Sequence, residues 1–165
     1  MATTSRSYAR ITTRDLRRLL DLAKADQADF FARYPRWKRL CAHRRLGIAL
    51  CQGAADHFVG RPAGKGVSDF DVWVFYRATH QAPYPYRRIG RRDFGDRRFG
   101  GAPGRPNFVG RCVDVLGRSI DAAPGTDPVA AIRSYLRAGR TVSARELAKK
   151  AVVMLEPSFG SIVWP

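Results

Sequence analysis

Acidic side chains are scarce in this chain: Asp and Glu number 14 against 30 Lys and Arg, giving a formal net charge of +16. Such a field attracts polyanions, whether nucleic acid, nucleoside triphosphates, an acidic protein partner or an anionic membrane surface. Cysteine is equally sparse. Cys41, Cys51 and Cys112 form no CxxC pair and have no histidine at zinc-ligand spacing, which excludes the common structural zinc sites. They sit among apolar neighbours and read as buried thiols, and an odd count gives no disulfide framework. No run of about eighteen apolar residues is present to span a bilayer, and the opening Met1 to Arg6 lacks the apolar stretch of a secretion signal. The expectation is a cytoplasmic protein in a reducing compartment, without membrane contact.

What remains is enough for one buried core: 165 residues, 45% of them hydrophobic, predict a single domain over 1–165. Thr12 or Thr13 can cap a helix with Asp15 in its first turn. Leu16, Leu19, Leu20, Ala23, Phe30 and Tyr34 then recur at helical spacing up to Pro35. Trp37, Leu40 and Cys41 continue the spacing on a short second helix, so helices occupy 13–45. A short strand over Gly47 to Cys51 leads into a turn at Gln52-Gly53-Ala54-Ala55. A glycine-rich loop follows, and then the β-branched and aromatic strand Asp69 to Tyr76.

Residues 77–109 show no period and contain eight arginines, five glycines and four prolines. They read as a long surface insertion. Its Tyr84, Tyr86, Phe94 and Phe99 suit stacking on bases, and Arg87, Arg88, Arg91, Arg92, Arg97 and Arg98 suit contacts to phosphate. Order returns with a strand from Val109 to Leu116. Asp127-Pro128 caps a helix that ends at Gly139, Ser143 to Glu146 is a capping box for another, and Ala151 to Leu155 and Ser161 to Trp164 are strands or packing segments.

Three carboxylates stand out. Asp69 and Asp71 alternate on one strand, so they share a face at ~7 Å separation, given a rise of ~3.3 Å per residue. Asp114 is a polar position inside the apolar strand Arg111 to Leu116. Crowded carboxylates call for hard cations, Mg²⁺ or Mn²⁺. If the two strands are neighbours the three converge, and such a set can hold two metal ions bridging a triphosphate. Asp121 and Asp127 are alternative third ligands, though both look like loop or capping residues.

The order of these pieces, Leu50-Cys-Gln-Gly-Ala54, then Ser68-Asp-Phe-Asp-Val72, then Val113-Asp-Val115, resembles the nucleotidyltransferase superfamily of DNA polymerase β type over roughly Leu46 to Leu116. The nearest likeness is to small bacterial members, such as minimal nucleotidyltransferases and toxin-like or antibiotic-modifying relatives. The resemblance implies an α+β fold, a small mixed sheet flanked by helices. It also implies that Asp69 and Asp71 bind both metals, that Asp114 completes the site and helps to activate the acceptor hydroxyl, that Gly53 and Ala54 approach the triphosphate, and that Ser68 supports the carboxylate turn. Two features depart from the family pattern: Ala54 stands where a phosphate-binding serine is common, and a long insertion precedes Asp114.

Gly64-Lys65-Gly66 fails as a phosphate-binding loop, because Val59 occupies the position of the first glycine and Gly66 follows the lysine. Lys65 remains a candidate phosphate contact from its loop. Asp56-His57, with no nucleophile nearby in sequence, reads as a loop pair or a local hydrogen bond. The expected activity is transfer of a nucleoside monophosphate from an NTP, ATP among them, to a hydroxyl, with RNA, such as a tRNA end, as favoured acceptor. The alternative is a fold of this type that has lost turnover and binds nucleic acid.

Overall fold

The computed structural model describes residues 5–62, 64–79 and 88–165. Helix α1 (Thr13–Arg33) starts at a capping box in which the Thr12 hydroxyl accepts from the Asp15 amide while the Asp15 carboxylate accepts from the Thr12 amide. This satisfies two of the amide donors that a helix start leaves unpaired. Helix α2 (Pro35–Cys41) follows with proline in its first turn, and a 3-10 turn (Ala42–Arg44) leads to strand β1 (Arg45–Cys51). Then come α3 (Gln52–Val59), β2 (Phe70–Arg77), β3 (Ile89–Asp93), a 3-10 turn (Arg97–Phe99), β4 (Cys112–Ile120), α4 (Pro128–Ala138), α5 (Val142–Leu147), β5 (Val152–Glu156) and β6 (Ile162–Trp164).

The strands form one mixed sheet in the order β3-β4-β2-β1-β5-β6. Strands β2 and β4 are parallel and every other pair is antiparallel. The fold class is therefore α+β, as the sequence implies. Alternation along the strands sorts the core into two layers. Ile48, Leu50, Phe70, Val72, Val74, Val113 and Val115 pack with Leu16, Leu19, Ala23 and Phe31 of α1 and with Ala54 and Ala55 of α3. Ala49, Trp73, Phe75, Leu116 and Met154 pack with Ile132 and Leu136 of α4. Each fully buried Leu, Ile or Phe contributes about 1.5–3 kcal/mol of transfer free energy. Among the described residues no helix is long and apolar enough to cross a membrane.

Residues 77–109 are the principal correction. Within them β3 pairs along β4, and Phe94 and Phe99 are fully buried, packed on Phe70 at centroid separations of 5.0 and 5.2 Å. They are core residues and unavailable for stacking on bases. The strand escapes detection because it is the edge strand and carries arginines on both faces. Those on one face are tied to α1: Arg88 Nη1 donates to Asp26 Oδ2 at 2.7 Å, Arg92 Nε to Asp26 Oδ1 at 3.2 Å and Arg92 Nη2 to Asp29 at 2.6 Å. Asp26 is only 2% exposed, and a buried carboxylate requires such partners. A Cβ on Gly90 would come within 2.1 Å of Asp26 Oδ1, so only glycine lets the strand approach α1 this closely. Tyr84, Tyr86 and Arg87 lie outside the described residues.

Smaller corrections follow from local geometry. On α1 the buried aromatic is Phe31, while Tyr34 is 46% exposed. Thr141 caps α5 through the Ala144 amide, and Ser143 lies inside the helix. Gln52 to Ala55 are the first turn of α3, a helix start in place of the expected turn. Asp56 and His57 also belong to α3: Asp56 accepts from the Ala151 amide at 2.7 Å, and His57 Nε2 lies 2.9 Å from the Ala9 carbonyl. Both fasten distant segments to the helix.

Candidate active site

In the parallel ladder Asp71 lies beside Asp114, and Cys51, the last residue of β1, flanks Asp71 on its other side. Paired residues in a sheet project from the same face, and Asp69, two residues before Asp71, shares it. Further along this face Trp73, Phe75 and Leu116 sink into the layer under α4, so the carboxylates occupy its uncovered end. The chain leaves Cys51 through Gln52 at φ 62 and enters α3, whose first turn no side chain caps. Unpaired amides at a helix start attract anionic groups.

A recess of about 380 Å³ opens there, lined by Gln52, Gly53 and Ala54 of α3 and by Ser68, Asp69, Asp71, Trp73, Leu116, Lys150, Gly66 and Arg6. A Cβ on Gly53 would meet nothing within 4 Å. The glycine therefore leaves space facing the recess and is not required by packing. Ser68 Oγ donates to Asp69 Oδ1 at 3.1 Å. Burial, with the charges of Asp69 and Asp114 added, pushes the Asp71 carboxyl up to about 7, against the pull of Lys150. In a chain so rich in cations, Asp69 and Asp71 have no ion-pair partner within 4.0 Å among the described residues.

A second recess of about 380 Å³ adjoins the first, sharing Arg6, Ser68 and Asp69, and reaches Asp114, Cys112, Arg91, Ala102, Pro103 and Arg105. Arg91 lies opposite Asp114 on β3, with its Nε 3.6 Å from Asp114 Oδ1. Cys112 Sγ donates to the same oxygen at 3.4 Å. Burial, then the Asp114 charge, pushes the Cys112 thiol up to about 12. Cys41 and Cys51 are buried as expected, and Cys112 is half-buried.

Among the described residues no three His, Cys, Asp or Glu side chains already surround one point as metal ligands. The donor chemistry nonetheless suits a hard divalent ion: three carboxylates on one rim, with the Asp71 pKa raised by burial first and by the charges of Asp69 and Asp114 second. Asp121 follows β4 beside a different recess, and Asp127 caps α4 through the Ala130 amide, so neither joins these carboxylates.

The other expected contacts divide. Gly53, Ala54 and Ser68 line the first recess, whereas Lys65 is exposed and lines neither; Lys150 faces Asp71 instead. Arg88 and Arg92 are held by α1. Arg98 is paired with Asp15 and donates to the Arg10 carbonyl. Of the five described arginines proposed for nucleic acid, only Arg91 reaches the carboxylates, and Arg97 is exposed nearby on the wall of a third recess. Arg6, Arg105 and Lys150 are additions that no local motif signals, and Gln52 joins them from within the quoted Leu50 to Ala54 segment. No family model matches the chain, no curated protein matches its sequence and no solved structure matches its fold. Its chemistry is therefore read from the site itself.

Proposed function

We propose that the protein is a metal-dependent nucleotidyltransferase that transfers a nucleoside monophosphate from an NTP to an acceptor hydroxyl. The observation that carries this reading is the side-by-side pairing of Asp71 and Asp114, with Asp69 on the same face, beside the uncapped start of α3. Asp69, Asp71 and Asp114 would hold Mg²⁺ or Mn²⁺, which supplies charge neutralisation for the triphosphate.

The chain's own groups complete the chemistry. Amides of Gly53 and Ala54 and the ammonium of Lys150 bind phosphate oxygens. Their role does not depend on a hydroxyl at position 54, which is consistent with alanine there. Asp114 lies in the second recess, on the acceptor side, where it can receive the hydroxyl proton. The acceptor oxygen bonds to the α-phosphorus as the bond from that phosphorus to the β-phosphate bridging oxygen breaks. Pyrophosphate leaves with the electron pair.

The second reading, a polynucleotide-binding protein without turnover, is favoured by one observation: the Arg91 guanidinium stands against the third carboxylate. Incubating nuclease-treated protein with each α-labelled NTP, Mg²⁺ or Mn²⁺ and cellular RNA or lysate separates the two. Metal-dependent label transfer that Asp69→Asn/Asp71→Asn abolishes supports the enzyme. Absence of transfer beside tight, salt-sensitive RNA binding supports the binding protein.

A further inference from the structure

The two recesses at the carboxylates do not end the concavity. A third recess, bounded by Arg97, Gly101, Phe108 and Val109, shares Ala102, Pro103 and Arg105 with the second. The three adjoin one another through these shared walls and make up a groove that runs from the start of α3, past Asp69 and Asp114, to Phe108. Beyond Asp114 its charged walls are cationic: Arg91, Arg105 and Arg97. Arg6, Arg97 and Arg105 have no acidic partner within 4.0 Å among the described residues.

The wall is built in advance of any ligand. Asp93 accepts from the Gly95, Val109 and Gly110 amides at 2.7–2.8 Å, closing the base of the loop over 94–110. Successive turns, Arg105 amide to Ala102 carbonyl and Phe108 amide to Arg105 carbonyl, set the tip. Phe108 is half-buried, with the Arg105 guanidinium 5.4 Å from its ring centroid. An aromatic ring beside unpaired guanidinium groups along an open groove suits a chain of phosphates carrying bases.

We propose that the acceptor is the 3′ end of a single-stranded polynucleotide lying in this groove. The terminal hydroxyl sits at Asp114, the preceding phosphates on Arg91 and Arg105, and a base against Phe108. The assignment of the acceptor rests on the nucleotidyl-transfer reading; the binding does not. A cationic small acceptor is disfavoured, because the second recess holds three guanidinium groups (Arg6, Arg91, Arg105) against two carboxylates (Asp69, Asp114). Once a divalent ion neutralises those carboxylates, the recess is strongly positive. Anchoring a phosphate also draws Arg91 away from Asp114, freeing the carboxylate when the acceptor arrives.

The test measures binding apart from turnover, by fluorescence anisotropy of the full chain with short 5′-labelled RNA and DNA of one sequence, in EDTA and at several salt concentrations. Arg91→Ala/Arg105→Ala should weaken binding about tenfold or more and lower the salt slope by about 1.4, from ~0.7 per phosphate contact on a single strand. Phe108→Ala should weaken it about tenfold with the slope unchanged. Arg137→Ala/Arg140→Ala, at exposed positions that line none of the three recesses, should bind as the parent does. The tighter of RNA and DNA identifies the sugar.

Wild-type affinity in both groove variants, or no binding of either oligonucleotide by the parent chain at low salt, overturns the proposal. In the label-transfer assay the Arg91/Arg105 variant should raise KM for the oligonucleotide and leave KM for the NTP unchanged. A parent chain that binds through these residues yet transfers no label overturns the nucleotidyl-transfer reading and upholds the groove as a polynucleotide site.

Discussion

Replacing Asp71 with asparagine should stabilise the metal-free protein, and by more at alkaline than at acid pH. The Asp71 carboxyl moves from 3.8 to about 7 on folding, through burial first and the charges of Asp69 and Asp114 second. A raised carboxyl pKa means that the native state keeps a proton which the unfolded chain releases. The associated stability is present in full below about 4 and is lost as pH rises through about 7. A shift of about 3 units at 1.36 kcal/mol each sets a ceiling of about 4 kcal/mol. About 2 to 3 kcal/mol of this falls between about pH 5 and about pH 8. Asparagine cannot ionise and escapes that loss.

Urea denaturation of parent and Asp71→Asn in EDTA at the two pH values reads the effect as a difference of differences, which cancels repulsion among the remaining charges. The variant's advantage should grow by about 2 to 3 kcal/mol at the higher pH. Saturating Mg²⁺ should then narrow the gap at the higher pH, because the parent gains the larger binding free energy, about 2.7 kcal/mol at a hundredfold excess over Kd. An advantage that is the same at both pH values would refute the description of Asp71 as a buried member of a carboxylate cluster.

Asp26→Ala removes the carboxylate that Arg88 and Arg92 share, leaving Arg92 with Asp29, and should cost about 2 to 3 kcal/mol in urea denaturation. That is less than the 3–5 kcal/mol for a fully buried pair, since both arginines keep some solvent contact. Gly90→Ala drives a methyl group into Asp26 and should destabilise by about 1–3 kcal/mol, with loss of amide-exchange protection concentrated in β3 and the adjoining part of β4. Native-state alkylation near pH 8 should leave all three thiols slow to react. Asp114→Asn should accelerate Cys112 modestly, because burial is the larger cause of its raised pKa; an equal gain at Cys51 would indicate general loosening instead.

The elements legible in the sequence are those whose side chains obey one period. Strand β2 is buried on both faces and reads, from Val72 to Tyr76, as an apolar and β-branched run; α1 declares itself by its capping box and leucine spacing. Strand β3 follows no such rule. One of its faces meets Asp26 beneath α1 and the other meets Asp114, so Arg92 and Arg91 occupy opposite parities and hydrophobic alternation vanishes. Phe94 and Phe99 sit beside arginines in sequence yet bury against Phe70, with Arg18 and Arg98 packed on their rings. The Asp69, Asp71 and Asp114 set was accessible because period two and a strand pairing determine it. Lys150 and Arg105 reach the site from segments that only the folded chain brings together.

Net charge alone gives a poor guide to function here, but the disposition of the scarce acids is informative. Asp15, Asp26 and Asp29 pair with arginines of the edge strand and its loop, Glu156 holds Lys24 and Arg45, and Asp56 holds Arg61. With cations more than twice as numerous as anions, a carboxylate that needs only neutralisation has guanidinium groups available. Among the described residues Asp69 and Asp71 stand together without one, at a cost in stability that the raised Asp71 pKa expresses. Arginine is nevertheless abundant a few residues away along the same groove. Arg6 and Lys150 border the two strand-start carboxylates without pairing with them, while Arg91, Arg97 and Arg105 gather at and beyond Asp114, a division that folding alone does not require. A site that reserves its carboxylates for a divalent ion and its guanidinium groups for phosphate accounts for both halves of it.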